Sequence, residues 1–443
     1  MSMSTICAIS SPYGMGGVAL IRVSGPQAVP VVDSLFQANH SLAEAKPNSI
    51  HFGRIQRASD ILDEVLCSVF RAPHSFTGED TVEIACHGSL YIQQTLLEWL
   101  IDAGCKAAEP GEFTRRAFLN GKMDLTRAEA VADLIAAQSK AEKDLALSQL
   151  RGSVSNELNA LRDRLLQFTS LVELELDFAD HEELEFADRS ELKELASEIE
   201  THLGELMRSF HTGNAIRNGI PVAIIGAPNV GKSTLLNALL GEQRAIVSDI
   251  QGTTRDTIED TILIEGILFR LIDTAGLRET ADQLENMGIE RSRKAARDAQ
   301  IVILVLDPTK NVPILDFSPT QVLLKTYNKT DLLTPEERTK DTDGIYISAK
   351  FCEIEPLKRE LVRIARESMH TSAVMLSNAR HYEAVSRAHQ AIERVQAGLH
   401  NGLSGEFLSL DLQDCLSALG EVTGQITNQE VLSNIFSKFC IGK

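Results

Sequence analysis

Five short motifs stand in a fixed order between residues 226 and 350, and no other feature constrains the fold of this chain as strongly. They are Gly226-Ala-Pro-Asn-Val-Gly-Lys-Ser233, Gly252-Thr-Thr-Arg-Asp256, Asp273-Thr-Ala-Gly276, Asn328-Lys-Thr-Asp331 and Ser348-Ala-Lys350. The first matches a phosphate-binding loop, in which a glycine-rich turn joins a strand to a helix. Apolar runs of strand length alternate with helical stretches here, at 221–225, 268–272, 301–306 and 322–326. This alternation predicts a doubly wound, mostly parallel α/β sheet with nucleotide loops at the carboxyl ends of its strands.

The motifs also predict which nucleotide binds. The glycines of the first motif let backbone N–H groups surround phosphates, Lys232 neutralises the outer phosphates, and the Ser233 hydroxyl is a ligand for Mg²⁺. Asn328 and Asp331 supply an amide and a carboxylate that pair with the edge of guanine, whereas adenine offers the wrong donors. A chance match is plausible for the first motif alone, but not for five in register. We therefore predict GTP with Mg²⁺.

Hydrolysis of GTP needs charge around the γ-phosphate and an oriented water molecule. Ser233 and Thr254 are the expected Mg²⁺ ligands, Asp273 is expected to hold the metal through water, and the Gly276 N–H is expected to contact the γ-phosphate. Many regulatory GTPases carry glutamine after this glycine, but this chain has Leu277, which cannot hydrogen-bond. Another group must therefore orient the water. The candidates in the adjoining segment are Arg278, Glu279, Asp282 and Glu285.

Length and composition set limits on the rest of the protein. A chain of 443 residues exceeds what one hydrophobic core usually serves, so two to three domains are expected. The net charge of −19 argues against a globally basic nucleic-acid binder, but it neither supports nor excludes an RNA substrate. The seven cysteines form no C-x-x-C pair, and the sequence has neither a signal-peptide pattern nor an apolar run of membrane length. We therefore predict reduced thiols and a cytoplasmic protein.

Changes in pattern along the chain predict four segments. Residues 1–120 alternate short apolar runs with turns, as in an α+β domain. Residues 121–215 have helical periodicity, with apolar residues at 158, 161, 165, 168 and 172, and residues 377–443 return to it. The simplest arrangement is one helical domain into which the nucleotide domain, residues 216–376, is inserted. Residues 173–200 hold 12 acidic side chains, for which a solvated helix face or loop is favoured over a cation or partner site.

Seven further motifs lie outside the nucleotide domain. They are Gly14-x-Gly-Gly-x-x-x-x-Arg22-x-Ser-Gly25, Phe76-Thr-Gly-Glu-Asp80, His87-Gly88, Pro110-Gly-Glu-Phe-Thr114, Arg116-Ala-Phe-Leu-Asn120, Lys122-x-Asp-Leu125 and Phe439-Cys-Ile-Gly-Lys443. With the nucleotide motifs, they resemble the tRNA modification GTPase family MnmE, also called TrmE, over essentially the full length. The nucleotide motifs are shared with many families, whereas the terminal pentapeptide combined with the N-terminal set is highly specific.

The resemblance implies a homodimer formed through the N-terminal domains, which bind 5-formyl- or 5,10-methylene-tetrahydrofolate as the one-carbon donor. By position, the implied folate contacts are Arg22, Glu83, Lys122 and Lys443. Glu79 competes with Glu83 as the carboxylate that contacts the pterin. Cys440 is implied to lie near the folate and the modification site. The alternatives for this cysteine are a buried thiol at a helix end and, with a poorer match, a prenylated C-terminal cysteine.

For the nucleotide domain, the resemblance implies a K⁺ ion that bridges two such domains face to face until hydrolysis reopens them. The implied K⁺ ligands are Asn229, Ser248, Ile250 and Thr253. The residues alone favour reading Asn229 as a turn residue after Pro228. Among the candidates for orienting water, the resemblance selects Glu285. The implied GTP contacts are Asn229, Val230, Gly231, Lys232, Ser233, Thr234, Ser248, Thr253, Thr254, Asp273, Thr274, Ala275, Gly276, Asn328, Lys329, Asp331, Ser348, Ala349 and Lys350.

The function that the resemblance implies is GTP hydrolysis coupled to tRNA modification. With a flavin-dependent MnmG-like subunit in a heterotetramer, the protein is expected to add a carboxymethylaminomethyl or aminomethyl group to C5 of the wobble uridine, position 34, of certain tRNAs. One alternative is an Era-like GTP-dependent switch in ribosome assembly or signalling, although no KH-type G-x-x-G loop in a basic setting is visible. Another is a folate-binding scaffold with vestigial GTPase activity, against which the intact Lys232, Ser233, Thr254 and Asp273 argue.

Overall fold

The computed structural model describes residues 4–177, 189–242, 260–272, 296–309, 321–334, 343–369, 374–427 and 429–442. The chain divides into two compact units, the first comprising Met1–Ala132, Gln149–Leu158 and Leu419–Lys443, and the second comprising Asp133–Ser148 and Asn159–Ala418. The domain borders near residues 120, 215 and 376 stay predictions.

We number the described strands and helices in chain order. The strands are β1 (Ile6–Ile9), β2 (Gly16–Ser24), β3 (Phe36–Gln37), β4 (Ser49–Arg57), β5 (Asp60–Phe70), β6 (Thr81–Gly88), β7 (Lys106–Ala107), β8 (Ile220–Ile225), β9 (Asp260–Ile264), β10 (Ile267–Ile272), β11 (Ile301–Leu306), β12 (Val322–Tyr327) and β13 (Ile345–Tyr346). The helices are α1 (Ala28–Leu35), α2 (Leu90–Asp102), α3 (Glu112–Leu119), α4 (Leu125–Ala136), α5 (Lys140–Leu150), α6 (Ser153–Asp177), α7 (Arg189–Asn218), α8 (Lys232–Glu242), α9 (Glu355–Met369), α10 (Ala379–His400), α11 (Gly405–Thr423) and α12 (Gln429–Phe436).

The first unit is built on a sheet with the strand order β3-β4-β5-β6-β2-β1-β7. Its pairs are antiparallel except for β1 with β7. In β5, the buried Val65, Cys67 and Val69 alternate with more exposed residues, because one face of the sheet packs on the core with α1 and α2. The α+β prediction for this part of the chain is confirmed. The register places Arg22 of β2 opposite Glu83 of β6.

Helix α6 confirms the amphipathic stripe that the sequence predicts. The side chains that form it, at most 2% exposed, are Leu158, Leu161, Leu165, Phe168 and Val172. In the second unit, α7 packs along α10. None of the helices in the described part of the chain is both long enough and apolar enough to span a bilayer.

The second unit also holds the nucleotide domain, whose sheet has the order β13-β12-β11-β8-β10-β9. All neighbouring strands are parallel except β9, which pairs antiparallel with β10 at the edge. This confirms the doubly wound, mostly parallel sheet, and β11 coincides with the apolar run at 301–306. Two strands of this sheet were not predicted: β9, whose turn to β10 places Glu265 and Gly266 at positive φ, and β13, which has only two residues.

Candidate functional site

The phosphate-binding loop joins β8 to α8, as its motif predicts. Gly226 has a φ of 153°, and a Cβ at this position would lie 2.4 Å from the carbonyl oxygen of Val305 in β11. Only glycine fits so close to a neighbouring strand. Asn229, at the exposed tip, adopts a left-handed conformation with a φ of 63°. The loop is therefore tightly bent and presents its backbone and the Asn229 amide outward.

Lys232, Ser233 and Thr234 form the first turn of α8 directly after this loop. The Lys232 Nζ donates hydrogen bonds to the carbonyl oxygens of Gly226 and Ala227, both at 2.9 Å. Burial lowers the pKa of Lys232 below its usual value, because the charged ammonium loses water. Ser233 and Thr234 are exposed. An ammonium and a helix N-terminus at one glycine-rich loop form a site suited to phosphate groups.

Asn328 connects three of the five motifs. Its Nδ2 donates to the Val230 carbonyl oxygen at 2.9 Å, and its Oδ1 accepts a hydrogen bond from the Ala349 N–H at 3.0 Å. The side chain is buried, with the residue 3% exposed. A Cβ at Gly231 would lie 2.2 Å from this same Nδ2. The amide therefore holds the phosphate loop and the Ser-Ala-Lys loop together through bonds that a substituted Gly231 would disturb.

The side chain of Asp331 is oriented by a hydrogen bond from the fifth motif. The buried Ser348 donates its hydroxyl to Asp331 Oδ1 at 2.8 Å, while Asp331 itself is exposed. Lys350, also exposed, has its ammonium 5.3 Å from the centre of the Phe351 ring. An ionised carboxylate can only accept hydrogen bonds, so an oriented Asp331 favours a base edge with N–H donors, as guanine presents.

Lys329 has a partner that the sequence analysis did not identify. Its ammonium lies 2.8 Å from Asp307 Oδ2, at the carboxyl end of β11, and Thr309 donates both its hydroxyl and its N–H to the other carboxylate oxygen. These contacts, with Lys329 first, lower the pKa of Asp307 to about 2. The signal in the sequence was a charged residue directly after a buried strand, at the edge where nucleotide loops lie.

Several predicted residues lie outside the described part of the chain. They are Ser248, Ile250, Thr253, Thr254, Asp273, Thr274, Ala275, Gly276, Leu277, Arg278, Glu279, Asp282, Glu285 and Lys443. The water-orienting acid, one of the two Mg²⁺ ligands and three of the four K⁺ ligands therefore stay predictions.

A second constellation lies in the first unit, around Arg22. Its guanidinium pairs with Glu83 at 2.8 Å and donates to the Gly442 carbonyl oxygen at 3.4 Å. The Ser10 hydroxyl donates to the same carbonyl at 3.0 Å. A Cβ at Gly442, where φ is 91°, would lie 2.3 Å from the Ile9 carbonyl oxygen. The C-terminal motif is therefore seated against β1 and β2, where its backbone meets the predicted folate residues.

The competing carboxylate, Glu79, is committed to an internal network. The buried Arg116 contacts its two oxygens at 3.1 and 3.2 Å, and the Ser24 hydroxyl donates to it at 2.9 Å. Arg116 is bound on its other side by Glu112 at 2.8 Å. Since Glu83 has fewer such contacts and a more exposed side chain, 22% against 12%, the geometry favours Glu83 over Glu79 as a ligand group.

Lys122 and Cys440 complete the described members of this constellation. The Lys122 ammonium donates to the Pro73 carbonyl oxygen at 2.8 Å, and its stem lies against Gly78. Arg22 faces the ring of Phe76 in the same loop, with 5.5 Å from the guanidinium carbon to the ring centre. Cys440 is exposed, so the alternative of a buried thiol at a helix end is wrong. The Glu83 carboxylate and the cations of Arg22 and Lys122, near the loop that holds Phe76, fit a ligand that carries both N–H donors and carboxylates, as a folate does.

Comparison with known proteins identifies the family. Two family models match, the GTP-binding protein TrmE N-terminus at residues 5–122 and the MnmE helical domain at residues 125–440. The tRNA modification GTPase MnmE of Parabacteroides distasonis is 53% identical over 463 residues, covering 100% of both chains. The protein of the same name from Bacteroides thetaiotaomicron is 50% identical over 469 residues, again covering 100% of both. Among solved structures, the G domain of the T. maritima FeoB iron transporter matches 34% of this chain and 98% of its own length, at 22% identity and a TM-score of 0.23. The chain belongs to the tRNA modification GTPase MnmE family.

Proposed function

We propose that this chain is a cytoplasmic, potassium-activated GTPase that acts in tRNA modification. With a flavin-dependent MnmG-like subunit, it adds a carboxymethylaminomethyl or aminomethyl group to C5 of the wobble uridine of certain tRNAs. Its full-length relatives carry the name tRNA modification GTPase. The observation that carries the proposal is the meeting of the C-terminal motif with the predicted folate residues, where Arg22 contacts both Glu83 and the Gly442 carbonyl.

GTP is the nucleotide that the described site fits. The Asn328 amide and the Ser348 hydroxyl fix the position of the guanine-selecting loop, and Asp331 presents its carboxylate at the exposed side. Ser233, with Thr254, would hold Mg²⁺, which supplies charge stabilisation to the phosphates when bound. We assign the orientation of the attacking water to Glu285. Glu285→Ala should abolish hydrolysis and leave GTP affinity near that of the wild type, and a large loss of GTP binding would contradict this role.

K⁺ activation rests on Asn229. Its left-handed backbone and its exposed side chain place an amide oxygen at the tip of the phosphate loop, where a monovalent cation can sit beside a phosphate. Such a cation can replace an arginine finger. We expect faster hydrolysis in KCl than in NaCl at equal ionic strength, and loss of this difference in Asn229→Ala. Asn237→Ala, a change at an exposed position of α8, is the matched control. Equal wild-type rates in the two salts would exclude the cation.

A tetrahydrofolate is the proposed ligand of the Arg22 constellation. Folate has a carboxylate for basic groups such as Arg22 and Lys122, and a pterin whose N–H donors suit Glu83. Binding of 5-formyl-tetrahydrofolate, measured by calorimetry, should weaken at least about tenfold in Arg22→Gln, because a charge-assisted bond is lost. The control is Arg57→Gln, at a surface pair with Asp102 in which both side chains are more than half exposed. Equal affinity in wild type and Arg22→Gln would contradict the assignment.

We place the homodimer contact on the outer face of the first sheet. Phe52 of β4 and Leu66 of β5 stand opposite each other in register, 66% and 46% exposed, and Val18 and Ile50 are 69% and 67% exposed. An exposed apolar patch of this kind is typical of an interface. Sedimentation should detect a dimer that Phe52→Asp dissociates, while Ile101→Asp, at an exposed position of α2, leaves it intact. A wild-type monomer, or a dimer that survives Phe52→Asp, would refute this placement.

A further inference from the structure

A group of three metal-ligating side chains lies on α7 and α10 and shares no residue with either site described above. Glu200 of α7 and His389 and Glu393 of α10 offer a ring nitrogen and two carboxylate oxygens, all within 4.8 Å of one another. Glu200 and His389 are half-buried, and Glu393 is exposed. We propose that these residues bind a divalent transition-metal ion of the zinc type, which joins α7 to α10.

The helix geometry explains why the three groups converge. His389 and Glu393 are four residues apart and share one face of α10, with His389 Nδ1 at 3.7 Å from a Glu393 carboxylate oxygen. On α7, Gly204 follows Glu200 by the same interval, and a Cβ at Gly204 would lie 3.6 Å from His389 Nε2. The imidazole therefore lies against α7 one turn from Glu200, within reach of the Glu200 carboxylate.

The donor set selects the class of metal. One imidazole and two carboxylates match the mixed nitrogen and oxygen ligands of Zn²⁺ and its neighbours, whereas Mg²⁺ and Ca²⁺ take oxygen ligands almost exclusively. Ligand atoms around tetrahedral zinc lie about 3.4 Å apart. His389 Nδ1 lies 3.7 Å from a Glu393 oxygen, and no two of the three ligand atoms are more than 4.8 Å apart. Binding of the ion therefore requires the side chains to approach one another by at most about 1.4 Å.

The local charge also suits a cation. Arg208, one turn beyond Gly204, has Nη1 3.5 Å from the position of a Gly204 Cβ, so a guanidinium lies close to the imidazole. The carboxylates of Glu200 and Glu393 outweigh this one guanidinium charge. Helix α7 ends at Asn218, just before β8 of the nucleotide domain, and α10 follows that domain in the chain. An ion bound here would therefore link the helix before the nucleotide domain to the helix after it.

The test uses the full chain, loaded with Mg²⁺ and GDP, in a background that lacks the two exposed thiols through Cys352→Ser and Cys440→Ser. Calorimetric titration with ZnCl₂ should detect one zinc ion per chain in this background that His389→Gln either does not bind or binds at least about tenfold more weakly. His400→Gln, at the exposed end of α10, should bind like the parent. The same stoichiometry and affinity in the parent and His389→Gln would overturn the proposal.

A second variant and a second readout guard against a loss of fold. Glu393→Gln changes an exposed side chain, and it too should weaken zinc binding at least about tenfold. In hydrogen exchange, zinc should slow the amides of α7 and α10 in the parent but not in Glu393→Gln, because the ion stabilises only the state in which both helices are paired. Equal zinc-induced slowing in both proteins would also overturn the proposal. Co²⁺ in place of zinc should give an absorption spectrum without thiolate charge transfer, and a thiolate spectrum would place the ion elsewhere.

Discussion

The pairing of Asp307 with Lys329 predicts a measurable coupling between β11 and the guanine-selecting loop. The Asp307 side chain is 5% exposed and lies 2.8 Å from the Lys329 ammonium, which is 33% exposed. Lys329 itself adopts a left-handed conformation, with a φ of 64°, between Asn328 and the rest of its motif. We expect Asp307→Asn to free Lys329 and to loosen this loop.

The pKa of Asp307 sets the magnitude. A fall from 3.8 to about 2 corresponds to about 2 kcal/mol in favour of the folded protein at neutral pH. Because the folded pKa is depressed, this contribution is complete above the unfolded pKa of 3.8 and is lost as the pH falls through about 2. Thr309 supplies part of it, so the share of Lys329 is about 1 to 1.5 kcal/mol, or roughly tenfold in a local opening equilibrium.

Hydrogen exchange with mass spectrometry at pH 7, on peptides that cover β11 and β12, measures this opening. Asp307→Asn and Lys329→Gln should each speed exchange about tenfold, and the double variant should be no faster than either single variant. Asp298→Asn, at an exposed position before β11, is the control and should exchange like the wild type. Additive effects of the two changes would refute the coupling, and so would unchanged exchange in Asp307→Asn.

Two further predictions follow from individual contacts. Gly231→Ala would place a Cβ 2.2 Å from Asn328 Nδ2 at a φ of 99°, so the variant should bind GDP at least about thirtyfold more weakly. The control is Gly241→Ala, which has no atom within 4 Å of the added methyl group and should bind GDP normally. Equal GDP affinities of the two variants in fluorescence titrations would contradict this prediction. Burial raises the pKa of Glu142, so its charge destabilises the fold increasingly as the pH rises from 4.5 through the folded pKa. Glu142→Gln should therefore gain melting temperature relative to wild type as the pH rises from below 4.5 to neutrality. A constant difference across that range would show that the Glu142 charge carries no cost.

Periodicity and motif spacing predicted those parts of the fold that short segments determine. The run Ile301–Leu306 is apolar at every position and has the length of a strand, a pattern typical of a strand buried on both faces. The stripe from Leu158 to Val172 repeats at helical spacing, and its burial follows directly. The motif at residues 226–233 predicted the phosphate loop equally well. In the structure, its glycines occupy positions where a Cβ would meet neighbouring backbone or side chains.

Contacts between distant segments could not be predicted in this way. Arg22 and Gly442 are separated by 420 positions, and only the folded sheet brings the tail to β2. The same holds for Asp307 with Lys329 and for Arg116 with Glu79, where each charge, taken alone, reads as a solvated side chain. Patterns within one helix or strand carry no information about which distant charge becomes its partner.

The most direct test of the central claim, that GTP hydrolysis by this chain serves tRNA modification, is mass spectrometry of tRNA nucleosides from cells that lack the protein. The account predicts that C5-modified wobble uridines disappear and are restored by the wild-type chain, but not by Glu285→Ala or by Arg22→Gln. Persistence of these nucleosides in cells that lack the protein would contradict the account and would favour a GTP-dependent assembly switch.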